Sequence, residues 1–212
     1  LQMNTDHDIS DICDFAAREN PKRGFLIVSK VLGRHTPTRP HIMRKVMKEL
    51  AEKVSDLPEP IVFLGMAETA TCLGHGVFVE YTKRFDKKIV YIQTSRQFVQ
   101  DSVILTSFSE DHSHAPTHMI QVNDDAVLDV IKSAKSLVII DDESSTGKTF
   151  VEASVALSKE MPFLEFVETV CITDWSGGEY LKKIPFSVKA HNIVSGTMHW
   201  EPKDINFQLA PS

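Results

Sequence analysis

At residues 138 to 149 the chain reads Val-Ile-Ile-Asp-Asp-Glu-Ser-Ser-Thr-Gly-Lys-Thr. The stretch completes a continuous apolar run over residues 137–140, which predicts a strand buried on both faces of a parallel sheet. Its polar half leads into a predicted helix over residues 146–160. A buried strand that passes through a polar loop into a helix is the building unit of a parallel α/β sheet.

The polar half of this stretch has the chemistry of an anion site. A helix start exposes unpaired backbone N–H groups and the positive end of the helix dipole. Hydroxyl side chains add donors, and a glycine lets the backbone come close to a bound anion. The candidates for binding a phosphate group are Ser144, Ser145, Thr146, Gly147, Lys148 and Thr149.

Two carboxylates, Asp141 and Asp142, stand immediately before this segment. They would repel a phosphate in direct contact, so they need a different role a short distance away. They can accept hydrogen bonds from vicinal hydroxyls or hold a divalent cation such as Mg²⁺. A sugar phosphate carries hydroxyls at such a distance from its phosphate, and the whole stretch is therefore complementary to ribose 5-phosphate.

Two other interpretations of the stretch stay open. Two acids at the end of a strand, followed by a polar turn, occur in many doubly wound proteins as Mg²⁺ ligands or capping groups. Gly147, Lys148 and Thr149 also match the end of a nucleotide-binding P-loop, whose pattern requires a glycine where this chain has Asp142. An acid at the place where nucleotide phosphates would pass argues against the P-loop.

Outward from this stretch, strands and helices alternate, which implies right-handed crossovers and a mostly parallel sheet in an α/β fold. We expect one domain over residues 1–212 with a core over about residues 58–195. The predicted strands are residues 25–29, 61–65, 88–93, 119–122, 137–140, 163–173 and 186–194. The predicted helices are residues 10–18, 40–55, 68–81, 124–133 and 146–160, and residues 94–117 are predicted to be a long polar loop.

Bulk properties narrow the class of protein. With 42% hydrophobic and 25% charged residues, the composition is that of a globular protein, and no apolar run approaches the roughly 20 residues of a membrane span. A net charge of -6 argues against nucleic-acid binding, which depends on Lys and Arg neutralising phosphates. Residues 1–8 lack the features of a secretory signal, so we expect a cytoplasmic protein. The three cysteines, Cys13, Cys72 and Cys171, are expected to be free thiols.

The stretch at residues 138–149 resembles the hallmark of the type I phosphoribosyltransferase family. In that family the acid pair contacts the ribose hydroxyls and the following loop binds the 5′-phosphate, which implies these roles for Asp141 and Asp142 and for residues 144–149. The resemblance also implies a mostly parallel sheet flanked by helices, with a small hood that includes about residues 1–40. Glu143 departs from the usual apolar residue and adds a third acid beside the sugar.

The same resemblance suggests roles for three further segments. Residues 65–71 follow a buried strand as the pyrophosphate loop does, often with an unusual peptide bond, although an ordinary turn would look the same. Residues 94–117 have the place and length of the flexible loop that excludes water from the reaction. Residues 30–40 lie where the family has its acceptor-binding hood. The candidates are Ala67, Glu68 and Thr69 for pyrophosphate, Arg96 as a catalytic pyrophosphate ligand, and Lys30, Arg34, His35, Glu110, His112 and His114 for the acceptor or flexible loop.

Over about residues 24–195 the chain also resembles the orotate-phosphoribosyltransferase-like proteins of bacterial tellurite-resistance stress gene clusters. This implies Mg²⁺-dependent transfer of ribose 5-phosphate from 5-phosphoribosyl-1-pyrophosphate to a base-like acceptor, with Asp141, Asp142 and Arg96 as catalytic residues in a homodimer. Two alternatives stay open, a noncatalytic protein that binds the donor and an enzyme that runs the reverse reaction. A metal site formed by His112, His114 and His118 is a further alternative, although their spacing matches no firm ligand pattern.

Overall fold

The computed structural model describes residues 7–17, 24–34, 36–108 and 117–198 of the chain. The helices are α1 (Ile9–Ile12), α2 (Pro40–Lys53), α3 (Thr71–Thr82), α4 (Asp125–Ser133) and α5 (Lys148–Ser158). The strands are β1 (Cys13–Ala17), β2 (Phe25–Ser29), β3 (Ile61–Gly65), β4 (Ile89–Ser95), β5 (Val103–Phe108), β6 (His118–Val122), β7 (Ser136–Ile140), β8 (Glu143–Ser144), β9 (Phe166–Asp174) and β10 (Ser187–Ser195). A 3-10 turn covers Glu179–Lys183.

The main sheet has the strand order β10-β9-β7-β3-β4-β6-β5, and the short strand β8 pairs with β9. From β10 to β4 the neighbours run parallel, whereas β6 and β5 extend the sheet in the antiparallel direction. All residues of β3 and β7 are buried, as their continuous apolar sequences predict for strands covered on both faces. The predicted α/β fold with a mostly parallel sheet is confirmed.

The register of the central strands determines where the site lies. Gly65 at the end of β3 is paired with Ile140 at the end of β7 on one side and with Gln93 in β4 on the other. The next residue, Met66, donates its backbone N–H to the carbonyl oxygen of Ile140 at 2.9 Å. The segments that follow these three strands therefore leave the sheet side by side at its carboxyl edge, where ligands bind in open α/β sheets.

Helices α2 and α4 begin close to where their sequences indicate. Proline occupies the first turn of α2, which tolerates its missing N–H. At the start of α4, the Asp124 carboxylate accepts hydrogen bonds from two backbone N–H groups of the first turn. Helices α3 and α5 begin at Thr71 and Lys148, three and two residues later than predicted, because the preceding residues form the loops described below.

The predicted helix over residues 10–18 is wrong. Only Ile9–Ile12 are helical, and the chain then extends as β1, which pairs antiparallel with β2 from Cys13 opposite Ser29 to Ala17 opposite Phe25. Pairing with a strand farther along the chain overrides the local helical spacing of the apolar residues. This two-stranded hairpin packs on the core through Cys13 and Ile27.

The predicted loop over residues 94–117 is wrong in part. Strand β4 continues through Ser95, and residues 103–108 form β5, whose antiparallel pairing with β6 supplies the backbone hydrogen bonds of a sheet. Strand β5 lies at the edge of the sheet and leaves Val103 and Ile104 exposed, so it lacks the buried pattern of a central strand. Residues 109–116, with Glu110, His112 and His114, lie outside the described residues, as does His35.

No helix in the described parts of the chain combines the length and the apolar character that crossing a bilayer requires.

Candidate active site

A polar cavity of about 230 Å³ opens at the carboxyl edge of β3, β7 and β4. We call it the polar pocket. It brings together side chains that the sequence analysis assigned separately to the acid pair, the pyrophosphate loop and the flexible loop, and it adds Arg34 and His118. Its lining residues are Arg34, Met66, Ala67, Glu68, Thr69, Arg96, His118, Asp141 and Asp142.

The acid pair is held in place by backbone hydrogen bonds to β9. The N–H of Asp141 donates to the carbonyl oxygen of Val170 at 2.9 Å, and the carbonyl oxygen of Asp142 accepts from the N–H of Ile172 at 3.0 Å. One Asp141 carboxylate oxygen also accepts the N–H of Asp142 at 2.9 Å. The two carboxylates are therefore fixed against a buried strand, although both side chains remain accessible from the pocket.

Negative charge is concentrated at this end of the sheet. This charge affects the pKa of the Cys171 thiol, which is buried in β9. Burial raises the pKa of Cys171 well above its usual value, and the nearby carboxylates of Asp174, Asp141, Asp142 and Glu143 raise it further. A site with so many carboxylates favours a ligand that brings hydroxyl donors or a cation.

The loop after the acids has the shape of an anion cradle. Gly147 caps α5 in the left-handed conformation with φ +73°, which favours glycine, and a Cβ there would lie 2.1 Å from the Tyr180 ring. Ser145 and Thr146 are exposed, and the buried hydroxyl of Ser144 has no hydrogen-bond partner among the described residues. Hydroxyls and the N–H groups that begin α5 thus lie at one opening.

The Lys148 ammonium group lies along the outside of this helix. Its Nζ is 3.4 Å from a carboxylate oxygen of Glu152, one helical turn further on. The Lys148 backbone N–H donates to the hydroxyl of Thr146 at 3.4 Å. The cradle therefore relies on hydroxyl and backbone donors more than on the lysine charge.

The segment after β3 forms the other wall of the polar pocket. The peptide bond between Ala67 and Glu68 is cis. The N–H of Ala67 donates to the hydroxyl oxygen of Thr94 at 2.8 Å, so this amide is already engaged, whereas Glu68 and Thr69 face the pocket. A guanidinium nitrogen of Arg34 lies 3.5 Å from a carboxylate oxygen of Glu68. We call residues 66–70 the diphosphate loop, after the role that the sequence analysis expects for them.

His118 lies beneath this loop, although the sequence analysis considered it only as a metal ligand. It is 1% exposed, its Nδ1 is 3.1 Å from the hydroxyl oxygen of Thr94, and its ring stacks on Phe108 at a centroid distance of 5.2 Å. Thr94 thus connects His118 to the backbone of Ala67. This arrangement supports the diphosphate loop from below.

Comparison with known proteins identifies the family of the chain. The family described as phosphoribosyl transferase matches residues 12–197. The chain belongs to this family. It is therefore a phosphoribosyltransferase, an enzyme of the pentosyltransferase class. No curated protein matches the sequence.

Solved structures with the same fold include adenine phosphoribosyltransferases. The enzyme from Rhodothermus marinus has a TM-score of 0.56 at 17% identity and covers 88% of this chain and 95% of its own. The enzyme from Giardia lamblia, complexed with 9-deazaadenine, has a TM-score of 0.57 at 15% identity, with 89% and 96% covered. The enzyme from Trypanosoma brucei, in complex with AMP, pyrophosphate and ribose 5-phosphate, has a TM-score of 0.53 at 16% identity, with 93% and 86% covered. At these identities the likeness concerns the fold alone.

In this phosphoribosyltransferase, two candidate residues for the acceptor or the flexible loop have positions that the sequence did not indicate. Lys30 lies in the hairpin region, where its ammonium group donates to the carbonyl oxygen of Ser10 at 2.6 Å and lies 3.7 Å from Asp14. Arg34, a candidate for the acceptor or the flexible loop, lines the polar pocket beside Glu68. Arg34 and Thr94 are far in sequence from the loop they contact, so no local pattern could have identified these contacts.

The polar pocket has too few ligand atoms to hold Mg²⁺ by itself, but it could hold Mg²⁺ together with a bound substrate. Within residues 7–17, 24–34, 36–108 and 117–198, no group of three or more His, Cys, Asp or Glu side chains is arranged to hold a metal ion. Asp141 and Asp142 offer carboxylate oxygens, and Mg²⁺ is often bound through one or two carboxylates together with substrate phosphates. These two residues would therefore hold Mg²⁺, directly or through water, once a phosphorylated ligand is present.

Proposed function

We propose that this enzyme transfers ribose 5-phosphate from 5-phosphoribosyl-1-pyrophosphate to a nitrogen of a base-like acceptor and releases pyrophosphate. The observation that carries the proposal is the junction of the acid pair and the diphosphate loop in one polar pocket, at the ends of adjacent parallel strands. A donor with a sugar between two phosphate groups requires two anion sites with hydroxyl acceptors between them.

The residues suit the parts of this donor in order, from the loop at the start of α5 through the acid pair to the diphosphate loop. Residues 144–149 bind the 5′-phosphate, Asp141 and Asp142 accept hydrogen bonds from the ribose hydroxyls, and Glu68 and Thr69 donate backbone N–H groups to the diphosphate. Arg96 and Arg34, which line the same pocket, neutralise the diphosphate charge. The Trypanosoma brucei neighbour, solved with ribose 5-phosphate and pyrophosphate, supports a fold of this kind accommodating both groups.

The reaction forms a bond between the acceptor nitrogen and C1′ and breaks the bond between C1′ and the pyrophosphate oxygen. The bonding electron pair leaves with pyrophosphate, and the nitrogen releases its proton to water. Positive charge builds on the sugar as this bond breaks, and the fixed carboxylates of Asp141 and Asp142 stabilise it, while Arg34 and Arg96 stabilise the leaving group. Mg²⁺, when bound, would neutralise charge on the diphosphate.

The strand order suggests where the acceptor binds. A nucleophile must reach C1′ on the side opposite the leaving group, and the end of β7 is flanked by β3 on one side and β9 on the other. The diphosphate loop follows β3, so the acceptor side is the end of β9, where Trp175 begins the next segment. The N-terminal hairpin covers this end, with Phe15 and Trp175 in contact at a ring distance of 6.4 Å.

Trp175 has the properties of an acceptor ligand. It is 8% exposed, and its indole N–H has no hydrogen-bond partner in the described part of the chain. Phe15 beside it is 49% exposed, so about half of this side chain is open to a ligand. A flat heterocycle between the hairpin and Trp175 would stack on Phe15 and accept the indole hydrogen bond.

Several finer expectations remain proposals that depend on the resemblance described above. They are a nucleotide-related role in a stress response of the tellurite-resistance type, a homodimer, a cytoplasmic location and Mg²⁺ dependence. The single domain with a hood over about residues 1–40 also remains a prediction.

The test is to titrate the protein with 5-phosphoribosyl-1-pyrophosphate and Mg²⁺ by calorimetry and then to screen bases for pyrophosphate release. Binding is expected, and the double variant Asp141→Ala with Asp142→Ala should lose it. The matched control is Asp86→Ala with Asp129→Ala, which removes two exposed carboxylates elsewhere and should bind normally. Full donor affinity in the Asp141 and Asp142 variant, or no binding by the unaltered protein, would contradict the proposal.

A further inference from the structure

A second cavity, of about 410 Å³, lies on the other side of the diphosphate loop. We call it the aromatic pocket. It shares Arg34, Glu68 and Thr69 with the polar pocket, but neither Asp141 nor Asp142 lines it. Its remaining walls come from Leu32 and Gly33 and from residues of α3 and β4, among them Cys72, His75, Tyr91 and Gln93. Its volume is in the range of about 300 to 1,000 Å³ that is usual for small-molecule sites.

We propose that the aromatic pocket binds a nucleoside monophosphate, with its base against Tyr91 and His75 and its phosphate at Arg34. The base would lie apart from the donor and acceptor sites of the proposed reaction, whereas the phosphate would share Arg34 with the donor site. Strand β4 lies beyond β3 in the order β9-β7-β3-β4, so the pocket is on the side of the leaving diphosphate. A molecule there cannot approach C1′ from the side opposite the leaving group, and it is therefore not the acceptor.

The wall formed by Tyr91 is rigid. Its hydroxyl donates to the carbonyl oxygen of Thr71 at 3.2 Å, and its ring packs on Phe78 at 5.6 Å. Gly65 allows this placement, because a Cβ at that position would lie 2.3 Å from the Tyr91 hydroxyl oxygen. Burial, followed by the nearby Cys72 thiol, raises the pKa of Tyr91 to about 12, so the ring is neutral at physiological pH.

His75 completes the aromatic wall. Its ring meets Tyr91 at a centroid distance of 5.5 Å and an interplanar angle of 77°, and its side chain is exposed to the pocket. Two rings nearly at right angles form a corner in which a planar heterocycle can stack on one face and meet an edge of the other. The exposed amide of Gln93 offers both a donor and an acceptor to the edge of a base.

Arg34 supplies the charge for the phosphate group. Its guanidinium is 3.5 Å from Glu68, with side chains 46% and 61% exposed, and such solvated ion pairs contribute little to stability. A phosphate binds a guanidinium through two parallel hydrogen bonds and is a stronger partner than this distant carboxylate. Arg34 can therefore exchange Glu68 for a phosphate that enters from the aromatic pocket.

Because Arg34 borders both pockets, occupancy of one affects the other. A nucleotide phosphate bound to the Arg34 guanidinium would leave it unable to bind the diphosphate of 5-phosphoribosyl-1-pyrophosphate. A nucleotide in the aromatic pocket should therefore weaken donor binding. This competition depends on the proposed function. Binding of the nucleotide itself does not.

Cys72 provides a direct test of occupancy. It lines the aromatic pocket and is exposed, whereas Cys13 and Cys171 are buried. The rate of Cys72 alkylation by iodoacetamide, followed by intact mass, should fall about tenfold with AMP at ten times its dissociation constant. Ribose 5-phosphate lacks the ring and adenosine lacks the phosphate, so both should protect much less at the same concentration.

Variants separate this site from the polar pocket. Protection by AMP should persist in the Asp141→Ala, Asp142→Ala double variant and should weaken in His75→Ala and Gln93→Ala. In each variant the quantity compared is the ratio of rates with and without AMP, because His75 lies close to the thiol. The control Lys83→Ala changes the exposed C-terminal end of α3 and should keep full protection.

Three outcomes would overturn the proposal. They are a labelling rate that AMP does not change, protection that disappears in the double aspartate variant, and ligand-free protection that grows with protein concentration. The last would mean that a second copy of the chain covers the pocket. Failure of the proposed function would be distinguishable, since donor binding would be absent in calorimetry while AMP still protected Cys72.

Discussion

The hydroxyl oxygen of Thr94 lies 2.8 Å from the backbone nitrogen of Ala67 and accepts its hydrogen bond. The two residues belong to different segments, the end of β4 and the loop after β3. The same hydroxyl is 3.1 Å from Nδ1 of the buried His118. One side chain thus connects the diphosphate loop to the antiparallel extension of the sheet.

Replacing Thr94 should therefore weaken diphosphate binding selectively. Thr94→Val keeps the side-chain shape but removes the acceptor, leaving the Ala67 N–H unsatisfied at a cost of about 1 kcal/mol or more. Calorimetry should show a several-fold weaker affinity for 5-phosphoribosyl-1-pyrophosphate and an unchanged affinity for ribose 5-phosphate. Thr106→Val, a half-buried substitution on β5, serves as the control. Equal losses for both ligands would point to general destabilisation instead.

Gly147 and Gly177 form a matched pair for testing the phosphate cradle. Both have positive φ, but a Cβ at Gly147 would collide with Tyr180, whereas one at Gly177 would meet nothing within 4 Å. Gly177→Ala should cost about 1 kcal/mol of unfolding free energy through backbone conformation alone. Gly147→Ala should cost about 1 to 3 kcal/mol more and weaken ribose 5-phosphate binding. Urea unfolding and calorimetry measure the two effects, and equal costs at the two positions would contradict the collision.

The buried Glu168 should make stability depend on pH. Burial tends to raise its pKa, but hydrogen bonds from His191 at 2.8 Å and from the Ser55 N–H at 3.0 Å outweigh burial and lower the pKa below its usual value. Its ionised form therefore stabilises the fold above the unfolded-state pKa of about 4.3. This contribution is lost as the pH falls through the lower pKa of the folded state.

Glu168→Gln should consequently lower the unfolding free energy by about 2 kcal/mol at neutral pH, since hydrogen bonds to charged groups are the stronger ones. The difference from the unaltered protein should shrink towards pH 3, as measured by urea unfolding at several pH values. Glu165→Gln, at a nearby exposed position, should change little at any pH. A constant difference across the pH range would show that the charge of Glu168 is not the cause.

The indole N–H of Trp175 offers a test of the acceptor site. Trp175→Phe retains an aromatic ring and removes only the donor, so the acceptor KM should rise about tenfold, as expected for one lost hydrogen bond. Donor affinity should be unchanged in calorimetry. Phe163→Leu, which alters an exposed aromatic side chain elsewhere, should leave both quantities unaffected. A rise in donor KM of the same size would place Trp175 outside the acceptor site.

The sequence was most informative where burial leaves a strong pattern. Strands β3 and β7 are enclosed on both faces, so their apolar runs predicted them well, and the first residues after each strand line the polar pocket. Strands β1 and β5 were missed because each depends on a partner strand rather than on its own pattern. Pairing with β2 imposes an extended backbone on Cys13–Ala17 despite a helical spacing.

The contacts between segments could not be predicted in the same way. The Ala67 N–H meets a hydroxyl 27 residues away, and Arg34 meets a carboxylate 34 residues away. Neither sequence separation corresponds to a helical or strand period, so only the assembled sheet brings these groups together. The sequence could suggest an anion site after β3, but it could not indicate which side chains hold that loop.

The hydrogen bond from Met66 to Ile140 fixes the distance between the two loops that would bind the ends of a ligand. The acid pair and the diphosphate loop each leave the sheet one residue after this pair of strand ends, so their separation follows from the roughly 4.8 Å spacing of neighbouring strands. Side-chain changes in either loop can alter how strongly a ligand is bound, but they leave that spacing in place. Ligand length is thereby selected by the backbone, whereas affinity and acceptor preference remain free to vary with the side chains.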